Sequence, residues 1–99
     1  MQYDKLRFMT RQIHAGLDKT DKNCPRGVAI YPTAAYRFNS CRHAADLFEL
    51  SEAGNIYTRL QNPTSSAYEE RIAALYGGVG ALAVSSGMSA ILVAVTSLA

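Results

Sequence analysis

The distribution of apolar and polar positions divides the chain into a polar first part and an apolar last part. All Lys, Arg, Asp and Glu residues precede Gly77, and the segment from Gly77 to Ala99 carries no charge. An uncharged segment predicts buried interior, but the polar first sixty residues offer few apolar stripes to cover it. We therefore expect the chain to be a fragment of a larger protein.

Two short helices are predicted in the polar part. The first covers residues 5–15, where apolar residues recur at near-helical spacing, and ends at Gly16, because glycine adopts the left-handed conformation that ends helices. The second runs from Cys41 to Leu50, with Ser40 as its N-cap. Apolar residues of this second helix are expected on one face: Ala44, Leu47, Phe48 and Leu50.

The segments around these helices lack helical periodicity. Residues 18–27 are a loop by composition, and Glu52–Asn55 form a turn. Residues 28–38 are rich in β-branched and aromatic side chains, but Pro32 removes a backbone donor. This segment is therefore predicted to be an extended arm that lies on a neighbour.

A longer helix is predicted to begin at Asn62 and Pro63, since asparagine caps helices and proline is tolerated in the first turn. It should end at Gly77 and Gly78. Its apolar face is expected to contain Tyr68, Ile72, Leu75 and Tyr76, with Glu69, Glu70 and Arg71 mostly on the other side.

The apolar part begins with a short continuous run, residues 81–84, that predicts a strand buried on both faces. A turn of small residues, 85–89, then leads into an apolar helix. The order helix, strand, glycine turn, helix predicts an α/β fold.

Composition excludes several classes of function. A chain of 99 residues forms one small domain at most, not a two-lobed enzyme. The net charge of +2 is too small, and its arginines too scattered, for a nucleic-acid or anionic-membrane partner. Residues 81–99 are interrupted by Ser, Gly and Thr, whereas a membrane span needs about 20 mostly apolar residues.

Cysteine usage and the first residues bear on the compartment. Cys24 and Cys41 stand far apart, without metal-ligand spacing, and predict two reduced thiols and no metal site. Residues 1–5 begin no apolar export segment, so the cytoplasm is the expected location.

The turn at residues 85–89 is a candidate anion site. Small side chains at a helix start leave the first backbone N–H groups and the positive end of the helix dipole exposed. Gly87 permits close approach of an oxygen, and the Ser86 and Ser89 hydroxyls can donate to the same group. Simple helix capping explains the same residues, and a nucleotide-phosphate module lacks its G-x-x-x-x-G-K motif.

Tyr57 and Arg59 form a second candidate. In extended chain, residues two apart point the same way, so a phenol and a guanidinium would converge on one spot. Such a pair suits a phosphate dianion, because arginine makes paired charge-assisted hydrogen bonds to it. An exposed arginine and a packed tyrosine are the alternative.

Together these motifs resemble the pyridoxal-phosphate (PLP) enzymes of cysteine and methionine metabolism. The matching stretches are T-R-Q-I-H-A-G at residues 10–16, N-I-Y-T-R-L-Q-N-P-T at 55–64, L-Y-G-G at 75–78 and S-S-G-M-S-A at 85–90. Residues 43–48 and 54–57 are most similar to the O-acetylhomoserine sulfhydrylase branch.

The resemblance implies a site as well as a fold. It implies pyridoxal 5′-phosphate as cofactor, held by Tyr57 and Arg59 across a dimer interface and by backbone N–H groups at Ser86, Gly87 and Met88 of the same subunit. Apart from the resemblance, the Met88 side chain is expected to pack in the core. Tyr57 is implied near the substrate, in proton transfer. The implied fold is that of fold-type I PLP enzymes: an N-terminal arm at 1–62 and the start of the large PLP-binding α/β domain at 63–99, in a homodimer or tetramer.

The resemblance also shows what this chain lacks. Lys5, Lys19 and Lys22 precede both motifs, whereas the lysine that carries the cofactor lies far downstream in the family. We expect the full-length protein to convert O-acetylhomoserine and sulfide to homocysteine and acetate, and this chain alone to be inactive. The alternatives are a methionine or cystathionine γ-lyase or synthase of the same family and a non-catalytic truncated product.

Overall fold

The structure is a computed structural model and describes residues 3–99. Within that range the chain forms four helices: α1 (Phe8–His14), α2 (Cys41–Phe48), α3 (Pro63–Tyr76) and α4 (Gly87–Leu98). It divides into two compact units, one made of residues 17–67 and the other of residues 3–16 with 68–99. The two units are described separately.

Helix α2 begins as predicted, because Ser40 Oγ accepts a hydrogen bond of 3.0 Å from the His43 N–H. It ends at Phe48, two residues before the predicted end at Leu50. Leu50 adopts a left-handed backbone conformation (φ 59°), which stops helix propagation. Of the predicted apolar face only Leu47 is buried, whereas Phe48 and Leu50 are exposed.

Helix α3 has the predicted boundaries. Asn62 Oδ1 accepts a hydrogen bond of 2.9 Å from the Thr64 N–H at its start. At its end Gly77 is left-handed (φ 68°), and the Gly78 N–H donates to the Ala73 carbonyl at 2.9 Å. These bonds satisfy backbone groups that a helix end otherwise leaves without partners.

The buried face of α3 differs from the predicted one. Tyr68 and Tyr76 are exposed, and the buried positions are the small residues Ala67, Ala73 and Ala74. Of these, Ala74 packs with Tyr3 and Ala15 of the N-terminal segment. Arg71 of α3 also binds that segment, since its Nε donates to the Ala15 carbonyl at 2.8 Å.

The core of the unit containing residues 3–16 and 68–99 is small. Tyr3, Ala15 and Ala74 form it, with Leu6 packed alongside. The Tyr3 hydroxyl donates to Glu70 Oε1 at 2.8 Å and accepts a longer bond of 3.3 Å from the Gly16 N–H. Gly16 is left-handed (φ 76°), as predicted for the end of the first helix.

Arg11 of α1 reinforces this core. Its guanidinium donates to three carbonyl oxygens, those of Leu6 at 2.9 Å, Ala74 at 3.1 Å and Asp4 at 2.9 Å. One side chain thus joins the start of the chain to α3.

The predicted strand at residues 81–84 does not form within residues 3–99. A strand exists only where a second segment completes its ladder of hydrogen bonds, and none of the described segments pairs with this one. The Ala83 N–H instead donates to Glu69 Oε1 at 2.8 Å. Apart from its four helices, the described part of the chain contains turns and irregular segments, and its strand-like pairing is limited to one isolated antiparallel bridge between Ala35 and Tyr57.

The connecting segments, the cysteines and the helix lengths complete the description of the fold. Residues 28–38 contain no helix; they bend at Ala34, and the Thr33 N–H donates to the Tyr31 carbonyl at 2.9 Å. Residues 18–27 contain turns without helix, as predicted. Cys24 and Cys41 are free and exposed. Among the described helices none is long and apolar enough to cross a membrane.

Candidate functional site

Tyr57 lies at the bridge that joins residues 34–36 to residues 56–58. The Tyr36 N–H donates to the Ile56 carbonyl at 3.1 Å, and the Thr58 N–H donates to the Ala34 carbonyl at 2.8 Å. Ala35 is thus directly opposite Tyr57 in a non-hydrogen-bonded pair, where side chains come closest. A small residue there leaves room for the tyrosine ring, which is 40% exposed.

Tyr57 and Arg59 are brought together by a turn, not by the predicted extended chain. The Tyr57 carbonyl accepts hydrogen bonds from the N–H groups of Leu60 at 2.9 Å and Gln61 at 3.0 Å, so the backbone coils after Tyr57. Arg59 Cζ lies 5.4 Å from the centre of the Tyr57 ring, within cation–π range. The two side chains are therefore neighbours, as predicted, although the backbone geometry is different.

Arg59 is exposed, and the structure records no carboxylate in a salt bridge with it among residues 3–99. Its guanidinium and the Tyr57 hydroxyl are available for a ligand that carries negative charge, because arginine presents a planar fork of donors.

Sequence reasoning missed the role of Asn62 beside this pair. Asn62 is 5% exposed and is the buried polar residue of the described chain. Its Nδ2 donates to the Tyr31 carbonyl at 2.9 Å and to Thr58 Oγ1 at 3.1 Å, while its Oδ1 caps α3. The sequence signal, Asn before Pro at a helix start, identified only the cap.

The turn that precedes α4 forms the second candidate, in the other unit. Ser86 has an extended backbone (φ −153°, ψ 157°) and its Oγ accepts a hydrogen bond of 3.1 Å from the Ser89 N–H. The two serine hydroxyls are 2.9 Å apart. This is an N-cap, the simpler of the two sequence interpretations, and it leaves the N–H groups of Gly87 and Met88 without intrahelical acceptors.

The start of α4 is electrostatically suited to an anion. Its first turn contains no acidic residue, and the helix dipole places partial positive charge there. A Cβ added to Gly87 would meet nothing within 4 Å, so the backbone at this position is open to an approaching group. The prediction that the Met88 side chain packs in a core is wrong for the described chain, because it is 74% exposed.

A cavity of about 300 Å³ lies next to this turn. Its wall is formed by the exposed face of α3 and by the segment that enters α4: Tyr68, Glu69, Ile72, residues 81–84, Ser86, Gly87 and Ala90.

No group of three or more His, Cys, Asp or Glu residues able to hold a metal ion occurs in residues 3–99.

Residues 9–99 match the family described as Cys/Met metabolism PLP-dependent enzymes. The chain is 51% identical over 94 residues to O-acetyl-L-homoserine sulfhydrylase 1 of Thermus thermophilus, covering 95% of this chain and 22% of that protein. It is 53% identical over 93 residues to homocysteine/cysteine synthase of Kluyveromyces lactis, covering 93% of this chain and 21% of that protein.

A solved structure shows the same similarity. The crystal structure of a putative O-acetylhomoserine (thiol)-lyase from Campylobacter jejuni, which contains N′-pyridoxyl-lysine-5′-monophosphate, superposes with a TM-score of 0.85 at 38% identity. The match covers 91% of this chain and 22% of that one. The chain thus spans about a fifth of the length of these relatives. Since the family match covers nearly all of its residues, the chain belongs to the Cys/Met metabolism PLP-dependent enzyme family.

Proposed function

We propose that this chain is the N-terminal segment of a PLP-dependent O-acetylhomoserine sulfhydrylase, referred to below as the holoenzyme. The proposed reaction joins O-acetylhomoserine and sulfide to give homocysteine and acetate. The observation that carries this proposal is the identity of about 50% to relatives named for this activity.

The donor set of the chain fits the phosphate group of pyridoxal phosphate. Two backbone N–H groups, those of Gly87 and Met88, stand at the start of a helix with no acidic residue in its first turn. Ser86 adds a hydroxyl beside them. All three groups can donate hydrogen bonds to a negatively charged phosphate. The start of a helix favours anions because its first N–H groups are free and its dipole is positive there.

In the proposed phosphate site, the Tyr57 and Arg59 side chains come from the adjacent subunit of a dimer or tetramer. The Arg59 guanidinium makes a cation–π contact with the Tyr57 ring, and both residues are exposed. We further propose that the Tyr57 hydroxyl takes part in proton transfer at the substrate. When bound, pyridoxal phosphate supplies the electron-withdrawing ring that stabilises negative charge on the substrate.

In the same proposal, residues 1–62 are an arm that packs on a neighbouring subunit. Residues 63–99 are then the start of the large α/β domain of a fold-type I enzyme. The exposed apolar surface of α4 and the unpaired segment 81–84 support the assignment of residues 63–99 to a larger domain, since both have the composition of buried elements.

The test is an assay of the holoenzyme with O-acetyl-L-homoserine and sulfide. We expect equal amounts of homocysteine and acetate to form. A γ-lyase would instead release 2-oxobutanoate and ammonia from methionine or cystathionine. Lyase turnover without sulfhydrylation would overturn the substrate assignment.

A variant in the same enzyme tests the proposed phosphate site. Arg59→Ala should raise the Kd for pyridoxal phosphate by at least tenfold, because a charge-assisted contact contributes roughly 1.5–3 kcal/mol. Arg37→Ala removes an exposed arginine of the arm and is the matched control. Unchanged cofactor affinity in Arg59→Ala would remove Arg59 from the site.

A further inference from the structure

We propose that Asn62 is a positioning residue for the proposed phosphate site, because its buried carboxamide holds the Tyr57–Arg59 turn against the segment of residues 29–33. This inference rests on the proposed function, since it assigns a purpose to the geometry of Tyr57 and Arg59. Asn62 does not itself touch the cofactor in this proposal and acts through Thr58.

The argument begins with the two ends of the Asn62 amide. Its Oδ1 accepts from the Thr64 N–H at 2.9 Å and therefore caps α3. Its Nδ2 makes two further bonds, one to the Tyr31 carbonyl at 2.9 Å and one to Thr58 Oγ1 at 3.1 Å. The carbonyl oxygen of Asn62 thus caps α3, whereas its amide nitrogen joins Tyr31 to Thr58 in the Tyr57–Arg59 turn.

Thr58 is the residue between Tyr57 and Arg59, and it is fixed on three sides. Its N–H donates to the Ala34 carbonyl at 2.8 Å, its hydroxyl donates to the Thr33 carbonyl, and the same hydroxyl accepts from Asn62. Holding Thr58 in this way limits the backbone rotation that would separate the two side chains flanking it.

Thr64 extends the same hydrogen-bond network to Ala29 and Tyr31. Its hydroxyl donates to the Ala29 carbonyl at 2.9 Å and accepts from the Tyr31 N–H at 2.9 Å. The segment from Ala29 to Tyr31 is thereby bound to the start of α3 at several points, and the Thr33 carbonyl is bound to Thr58 of the turn. All of these residues belong to the unit formed by residues 17–67.

The burial of Asn62 explains why this hydrogen-bond network can fix the position of the Tyr57–Arg59 turn. Hydrogen bonds on the surface exchange readily with water, but Asn62 is only 5% exposed, so little water can reach its amide to replace a lost partner. Displacement of the turn would therefore leave the Asn62 donor unsatisfied, and that cost keeps Tyr57 and Arg59 in place.

Two variants separate positioning from helix capping. Asn62→Asp keeps an oxygen for the Thr64 N–H but loses both donated bonds, and Thr58→Val removes the hydroxyl without adding charge. In the holoenzyme, each should raise the Kd for pyridoxal phosphate about three- to tenfold. Asn39→Asp adds the same charge at an exposed position of the same unit and should leave the Kd unchanged.

The decisive measurement is the same pair of variants in a Tyr57→Phe, Arg59→Ala background. If Asn62 and Thr58 act through those two groups, their effect on the Kd should shrink to less than about twofold there. A full effect that persists in this background would mean a general structural role and would overturn the inference.

The outcomes distinguish this inference from the proposed function. If Arg59→Ala weakens cofactor binding while Thr58→Val and Asn62→Asp do not, the positioning role alone is wrong. If Arg59→Ala has no effect, the proposed phosphate site fails and the inference fails with it. Should Asn62→Asp not fold, Thr58→Val decides the question by the same criteria.

Discussion

Glu69 of α3 accepts a hydrogen bond of 2.8 Å at its Oε1 from the backbone N–H of Ala83. Ala83 lies shortly before Ser86, the N-cap of α4. The carboxylate therefore fastens to α3 the segment that leads into the candidate phosphate turn. It also provides a partner for a backbone group that no strand satisfies within residues 3–99.

Removal of this carboxylate should loosen the segment before α4. Glu69→Ala is expected to lower the hydrogen-exchange protection of the Ala83 amide by about fivefold, the equivalent of a hydrogen bond of about 1 kcal/mol. Glu69→Gln retains an acceptor oxygen and should preserve most of the protection. Glu49→Ala, which removes an exposed glutamate at the end of α2, is the control. Equal protection in Glu69→Ala and the unaltered chain would contradict the prediction.

Ser86 offers a way to separate helix capping from phosphate binding. Ser86→Asp should keep the N-cap, because aspartate is as good a cap as serine. It should nevertheless weaken binding of pyridoxal phosphate to the holoenzyme at least tenfold, since it would place a negative charge beside the proposed phosphate site. Ser40→Asp makes the same change at the cap of α2, and its cofactor affinity should be unaltered. Binding measured by fluorescence titration checks both.

The end of α3 should be sensitive to a side chain at one glycine. Gly77→Ala is expected to lower the free energy of unfolding by about 1–2 kcal/mol, because Gly77 has φ +68° and L-residues are strained there. Gly80→Ala is the matched control, since Gly80 has no positive φ and a Cβ there meets nothing within 4 Å. Denaturant unfolding of both variants in the holoenzyme is the measurement. Equal stability of the two variants would contradict the predicted strain of an alanine at position 77.

The hydrogen bonds of Asp18 in the loop at residues 18–21 predict that stability depends slightly on pH. The hydroxyl and the N–H of Thr20 both donate to Asp18 Oδ1 at 2.7 Å and lower the pKa of that carboxyl. Because the folded pKa lies below the unfolded one, any stabilisation is present above the unfolded pKa of about 3.9 and is lost as the pH falls through the folded value. Thr20→Val should raise the pKa of Asp18 in an NMR titration. Unaltered titration of Asp18 in that variant would show that the hydroxyl has no effect.

The 99-residue chain by itself should not carry the cofactor covalently. Its lysines, Lys5, Lys19 and Lys22, all precede both candidate motifs in the sequence. After incubation with one equivalent of pyridoxal phosphate and reduction with borohydride, mass spectrometry is expected to find no stoichiometric adduct. A single lysine labelled to completion would contradict this expectation and would identify a reactive amine.

The parts of the structure that follow local chemistry were predictable from the sequence. Ser40, Asn62 and Ser86 cap helices through their own side chains, and Gly77 ends one through its backbone. Each of these devices needs only residues a few positions away, so a single sequence contains the whole cause.

Features that depend on distant partners were not predictable in this way. The run at 81–84 has strand composition, but a strand requires a second segment to pair with it. The buried face of α3 is set by its contact with Tyr3 and Ala15, which favours Ala74 over the larger Tyr68 and Tyr76. The Asn62 network likewise joins residues more than thirty positions apart, and periodicity gives no signal for it.

Helix α4 has a consequence for the fate of the polypeptide in a cell. It carries no charge, and Ile91, Leu92, Val95 and Leu98 are all more than half exposed. Uncovered surfaces of this kind are recognised by chaperones and lead to aggregation or proteolysis. When synthesised alone, the chain is therefore expected to be degraded rapidly. Its persistence in a cell would indicate that another protein surface covers α4.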